Sequence, residues 1–187
     1  MKKDDIRRKV RAEKSLLSPD DKAKAARSVF SRLEELAAFM MSDRILLYHS
    51  LPDELSTREF IDKWCERKRF FLPRVNGVGL DILPYDRSTL SLGAFQIEEP
   101  QGDETVSIDE IEMVIVPAVA YDRRGNRVGR GKGYYDRLMK DSKALKVGVS
   151  YDFQFFDEIE SEEHDVPVDI VITESQTYIM RNNRPKH

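Results

Sequence analysis

Apolar residues recur along this chain in two rhythms. In residues 2–14, Ile6 and Val10 stand four apart among charged neighbours, a helix with one narrow apolar face. Ser18, Pro19, Asp20 and Asp21 read as an N-cap, a proline at the first helical position and acids in the first turn. Ala26, Val29, Phe30, Leu33, Leu36, Ala37 and Met40 continue at helical spacing, predicting one long helix. Ser56 with Glu59 predicts a capping box for a helix that buries Phe60, Ile61, Trp64 and Cys65. A last helical pattern runs through Tyr135, Leu138 and Met139.

The second rhythm is the short unbroken apolar run. Residues 113–116, 146–149 and 168–173 have the composition of strands covered on both faces, and 44–48, 70–73 and 79–83 read as further strands. Residues 98–112 are acidic and read as mostly loop. Strands alternating with helices predict a single α/β domain: three layers, a doubly wound and mostly parallel sheet, helices on both faces. Ligands of such sheets bind beyond the carboxyl ends of the strands. The loops after Tyr48, Pro73, Val116, Val149 and Thr173 then share one rim. That rim brings the loop at 52–55 and the segment after Val116 into one cleft, whereas Asp169 falls near the start of its strand.

Composition narrows the function classes. A chain of 187 residues is large enough to bury a core as one domain. A formal charge of −3 and a pI near 5.7 argue against a nucleic-acid-coating protein. No apolar run reaches the roughly 18 residues of a membrane span, and the first residues lack a signal peptide's apolar stretch. The single Cys65 excludes an internal disulfide, and beside Trp64 it reads as a core residue. These features predict a cytoplasmic monomer with small-molecule partners. The three histidines, His49, His164 and His187, are too scattered for a zinc site, and no G-x-S-x-G elbow is present.

The chemistry concentrates in residues 117–136. Four of the nine glycines lie there: Gly125, Gly129, Gly131 and Gly133. From Asp122 to Arg137, six basic residues face two acids, a balance of +4. A strand, a glycine-rich basic loop and a helix start are the parts of a phosphate cradle, because glycines let backbone N–H groups close on an anion that Arg and Lys neutralise. The loop is not a Walker A motif, since Gly133 follows Lys132 where that motif has Ser or Thr. Nor is it a dinucleotide fingerprint, whose third glycine is missing at its spacing. A basic surface turn packed by two tyrosines is the competing account.

Asn126, Arg127, Val128, Gly129, Arg130, Gly131, Lys132, Gly133, Tyr134, Tyr135 and Asp136, preceded by Pro117, Tyr121 and Asp122, resemble the signature of 5-formyltetrahydrofolate cyclo-ligases, also called methenyltetrahydrofolate synthetases. Lys3 with Arg7, the loop from Pro52 to Ser56, the stretches 71–74 and 93–100, and residues 163–174 resemble other parts of that family, in the same order. The resemblance implies an ATP-dependent ligase converting 5-formyltetrahydrofolate to 5,10-methenyltetrahydrofolate. It implies ATP contacts from Lys3, Arg7 and residues 127–135, and catalytic roles for Arg130, Lys132 and Tyr135. Glu54, Phe95, Arg130 and Tyr134 are implied at the folate. Mg²⁺ is implied at Asp136 and Asp169.

The residues suit these roles. Arg makes bidentate contacts to phosphate and Lys supplies a point charge. A carboxylate such as Glu54 accepts hydrogen bonds from an aminopyrimidine edge, and an aromatic such as Phe95 stacks on a flat ring. Which of Tyr134 and Tyr135 serves the chemistry and which seats the helix stays open. Asp169 equally suits a cap or an Arg partner. Two other classes remain: a sugar-phosphate isomerase or CoA transferase on a related scaffold, which needs a catalytic carboxylate and no ATP, and a non-catalytic nucleotide- or folate-binding module, which releases no phosphate.

Overall fold

In the computed structural model, residues 1–89, 91–92 and 98–180 are described. Helix α1 (Lys3–Lys14) is followed by α2 (Pro19–Glu34) and α3 (Ala37–Met41). Ser18 caps α2 as its sequence predicts, its hydroxyl accepting the Asp21 N–H while the Asp21 carboxylate accepts the Ser18 N–H. The single long helix expected here is two. Leu36 is extended (φ −72°, ψ 130°), and the turn it makes carries Phe39 into the core while Met40 is left outside.

The strands alternate with helices. β1 (Arg44–Leu47) leads through α4 (Arg58–Trp64) to β2 (Arg69–Asn76) and β3 (Gly79–Pro84). β4 (Ser91–Leu92) and β5 (Glu98–Glu99) form a small ribbon. β6 (Met113–Val116), a hairpin of β7 (Ala120–Asp122) and β8 (Arg127–Val128), α5 (Tyr134–Met139) and β9 (Leu145–Val149) come next. β10 (Phe155–Phe156), β11 (Ile170–Ile172) and β12 (Thr177–Ile179) close the described chain.

Seven strands form the main sheet in the order β12-β11-β9-β6-β1-β2-β3. The pairs β1–β2, β1–β6, β6–β9 and β9–β11 are parallel, and the two edge strands, β3 and β12, run antiparallel. Period-two alternation divides the side chains between its faces. Ile45, Leu47, Met113, Ile115, Val147 and Val149 pack under α2, α3 and α4, with Phe30, Phe39, Phe60 and Ile61. Leu46, Val114, Val116 and Val171 face the other way, under Met139 of α5 and Tyr121. The doubly wound, mostly parallel α/β domain is the predicted one.

Two details differ from expectation around α4. Ser56 and Glu59 make no capping box: the cap is Thr57, whose hydroxyl donates to the Tyr48 carbonyl at 2.9 Å, and Glu59 pairs with Arg27. Cys65, read as core, is exposed, because α4 ends at Trp64 and turns its apolar face inward through Phe60 and Ile61.

The larger departure lies between β6 and α5. The predicted loop there is a hairpin first, and β7 and β8 join β10 in a second, three-stranded sheet. Asp122 closes the hairpin turn. Its buried carboxylate accepts the N–H groups of Arg124, Asn126 and Ile159 and the Asn126 side-chain amide, and Gly125 takes the positive φ of 82° that the turn requires. Helix α1 belongs to this small sheet, with Ile6 and Val10 buried against Ala120, Val128 and Ile159.

Candidate active site

The rim expectation holds: three distant segments meet beyond the carboxyl ends of β1, β6 and β9. The Arg130 guanidinium reaches the 52–55 loop, 2.9 and 3.1 Å from the two Asp53 carboxylate oxygens and 4.0 Å from Glu54. The Lys14 ammonium, at the end of α1, stands 3.7 Å from the same Asp53 carboxylate. Beneath them a small cavity is lined by Lys14, Tyr48, Glu54, Pro117, Val149 and Gln154, among others.

The glycine-rich segment divides into a buried half and an open half. Arg127, on β8, is buried, and its guanidinium stands 3.1 Å from the Asp136 carboxylate, which also accepts the Val166 N–H at 3.0 Å. This ion pair ties the hairpin to α5. The Arg127 Nε has no hydrogen-bond partner among the described residues, an unfilled donor inside the segment. Beyond Val128 the chain opens. Gly131 and Gly133 adopt φ of 101° and 69°, in the left-handed region that favours glycine, so the loop curls before α5 begins. Lys132 is exposed, and its ammonium meets no partner among the described residues. Helix α5 has six residues, so the cradle depends on loop N–H groups and cations more than on a helix dipole.

Not all six cations face the cradle. Arg123 pairs with Asp157 at 2.8 Å, and Arg137 donates to the carbonyls of Val78 and Lys132. Helix α1 makes up the difference. The Arg7 Nε donates to the Gly129 carbonyl at 3.0 Å and Lys3 bonds Asp165 at 2.8 Å, which sets both residues beside the loop.

Residues 1–174 match the sequence profile of the 5-formyltetrahydrofolate cyclo-ligase family. The chain belongs to that family. It is 27% identical over 179 residues to the 5-formyltetrahydrofolate cyclo-ligase of Escherichia coli K12, an alignment covering 90% of this chain and 98% of the relative. It is 26% identical over 186 residues to that of Mus musculus, covering 90% and 92%. Among solved structures, the 5,10-methenyltetrahydrofolate synthetase of Aquifex aeolicus superimposes with a TM-score of 0.88 at 34% identity, over 100% of this chain and 97% of that one. The fold of the Mycoplasma pneumoniae synthetase matches with a TM-score of 0.73.

Within this cyclo-ligase, the acids of the rim are electrostatically unlike each other. Burial pushes the Glu54 carboxyl above the ordinary range, against a lowering hydrogen bond from the Leu51 N–H at 2.9 Å. For Asp53 the same desolvation acts, but Arg130 and Lys14 together hold its carboxyl below the usual value. Burial in turn lowers the Lys14 ammonium. The phenol of Tyr135 is driven up by burial and sits in the field of Glu54 and Arg127, and its ring lies 5.8 Å from the Arg127 guanidinium. Tyr134 instead turns to Arg137, 5.5 Å away. Tyr135 therefore seats α5 on the sheet, packed against the cluster that holds Tyr121, Val116 and Met139.

The two acids implied for Mg²⁺ differ in placement. Asp136 stands at the start of α5 beside the open loop; one of its oxygens holds Arg127 and Val166, and the other makes no hydrogen bond among the described residues. It fits a cation that takes one or two carboxylates beside phosphates. Asp169 lies at the amino end of β11, where its carboxylate accepts the Lys146 N–H at 2.8 Å. The structure makes it a tie between β9 and β11 and shows no contact that joins it to Asp136. Phe95 lies outside the described residues, as does His187. Lys14 and Asp53 were not singled out by sequence. The signal for Lys14 was the spacing of Lys3, Arg7 and Lys14, four and seven apart, which lays all three along one side of α1.

Proposed function

We propose that the chain is an ATP-dependent ligase that converts 5-formyltetrahydrofolate to 5,10-methenyltetrahydrofolate, with release of ADP and phosphate. One observation carries the proposal: Arg130 of the glycine-rich loop stands on the Asp53–Glu54 loop, so a group suited to phosphate and a carboxylate suited to a pterin share one rim.

The reaction needs little protein chemistry beyond alignment and charge. A formamide oxygen is a poor leaving group. Its attack on the γ-phosphorus breaks the bond to ADP and turns that oxygen into part of a phosphate ester. The folate N10 then attacks the activated carbon, its proton is lost, and the C–O bond breaks with phosphate departing. Arg130 and Lys132 align the γ-phosphoryl with the formyl oxygen and offset its developing charge. Lys3 and Arg7, held along the loop by α1, extend the cationic wall for the nucleotide. Glu54 fixes the pterin, and Tyr135 seats α5. We assign the cation site to Asp136; Mg²⁺ bound there would supply charge neutralisation between the phosphates. Soluble, monomeric behaviour in the cytoplasm suits these small-molecule partners.

The direct test mixes purified protein with Mg-ATP and 5-formyltetrahydrofolate and follows the methenyl chromophore together with released phosphate. Both should appear in equal amounts. Binding of both substrates without phosphate release points to a binding module, and turnover without ATP points to an isomerase or transferase.

A further inference from the structure

The cavity under Arg130 has a pattern that its individual residues do not reveal. Almost every polar head on its wall is already engaged. The Tyr48 hydroxyl donates to the Leu55 carbonyl at 2.8 Å. The Gln154 amide donates to the carbonyls of Ala118 and Val119, and its oxygen accepts the Tyr151 N–H. Two heads keep capacity. The Glu54 carboxylate accepts one N–H and stands 4.0 Å from Arg130. The Lys14 ammonium, with three protons to give and a side chain only 13% exposed, has one ion-pair partner among the described residues, Asp53 at 3.7 Å.

An ammonium and a carboxylate on the wall of one cavity, whose volume of about 10 Å³ is close to the room of a single water, are complementary to the edge of a ligand lying against it, an edge that shows a carbonyl acceptor next to two N–H donors. The amino-pyrimidinone edge of a pterin is such an edge: ring carbonyl, ring N–H, exocyclic amine. Building on the proposed function, we propose that Lys14 is a further substrate-binding residue that donates to the ring carbonyl of the pterin, while Glu54 accepts the two N–H groups beside it. Lys14 then sets specificity for the oxo form of the ring. A 4-amino ring would turn a donor toward the ammonium and leave a buried cation facing it. Burial lowers the Lys14 ammonium, in keeping with a group whose hydration has been removed before its partner arrives.

The test is calorimetry without nucleotide, using 5-formyltetrahydrofolate and its 4-amino counterpart as probes. The unaltered protein should prefer the oxo ring by about ten- to a hundredfold, the range for a hydrogen bond to a charged donor. Lys14→Met should weaken the oxo compound by part of that factor and spare the 4-amino compound, lowering the ratio without bringing it to one, because a 4-amino ring also lacks the ring N–H that Glu54 accepts. Lys14→Gln, which keeps a donor, should restore part of the preference. If Lys14→Met weakens both probes equally or neither, Lys14 serves only to hold Asp53 and the inference fails. Glu54→Gln separates this from failure of the functional reading. Should it leave oxo-ring affinity untouched, the pterin does not meet this cavity and the Glu54 and Lys14 assignments fall together, while the ligase reading stands or falls on phosphate release. Should it weaken the oxo ring while the Lys14→Met ratio is unchanged, only the Lys14 assignment falls.

Discussion

The two ends of the main sheet use their acids in opposite ways. At the amino end, Glu112 accepts the N–H groups of Asp43 and Arg44, both at 3.0 Å, and Asp169 accepts that of Lys146. Those bonds close strand ends, and for Glu112 they hold the carboxyl below its ordinary range. At the carboxyl end, Glu54 is mostly shielded from water with a single N–H, and its carboxyl is pushed up. The amino end spends its charges on the fold. The carboxyl end keeps a charge that the fold leaves underused, which is where a ligand adds most.

The contrast can be broken in several places. The largest effect falls on the open loop. Arg130→Ala and Lys132→Ala should each cut turnover about ten- to a hundredfold, the worth of a charge-assisted contact, with thermal unfolding unchanged. Normal kcat/KM in both variants would remove the loop from the mechanism. At the amino end the outcome should reverse. Asp169→Ala strands a part-buried backbone N–H and should cost about 1–3 kcal/mol, read as a lower Tm, and Glu112→Ala, whose partners water can reach, about 0.5–1.5 kcal/mol, while the Mg²⁺ titration and both KM values hold. A shifted Mg²⁺ requirement in Asp169→Ala alone, against the same shift in Asp136→Asn, would restore Asp169 to the metal.

Next in size is the pH dependence of Glu54. Its folded pKa is raised, so as pH falls through that value the folded state takes up a proton before the unfolded chain does. Stability is then gained as folate affinity is lost, both at a pH above that of an ordinary glutamate. Calorimetric titrations across mildly acidic pH check the affinity, and Glu54→Gln should abolish the pH dependence. The smallest effect belongs to Asp53→Asn. Arg130 and Asp53 are half exposed, a setting in which an ion pair is worth about 0.2–1 kcal/mol, so releasing the guanidinium should tighten triphosphate binding by no more than about fivefold. Weaker binding instead would show that Asp53 aims Arg130 at the ligand.

How much of this was legible follows from how far each signal reaches along the chain. The runs at 113–116 and 146–149 announced their strands because a strand buried on both faces has no polar positions to spare. The Ser18 cap was legible because it is completed within three residues. The hairpin β7–β8 was hidden by its own chemistry. Asp122, Arg127 and Gly125 look like loop residues, and it took the Arg127–Asp136 pair and the Asp122 turn to bury them as sheet. The same burial misled the reading of Arg127 as one more cation of an open loop. Lys14 and Asp53 escaped because their meaning depends on each other across the fold, and neither residue type is rare on a surface.

Helix α1 gives the site a history as well as a shape. Its partners are Gly129 and Asp165, 122 and 162 positions further along, and its apolar face rests on Ala120, Val128 and Ile159. During synthesis α1 has nothing to dock on until the segments that hold Gly129, Ile159 and Asp165 have followed it, and closing so long a loop is slow. The cleft is therefore completed last. A nascent or truncated chain can already own its parallel sheet and its glycine-rich loop and still lack Lys3, Arg7 and Lys14 in place, so binding competence arrives in one late step.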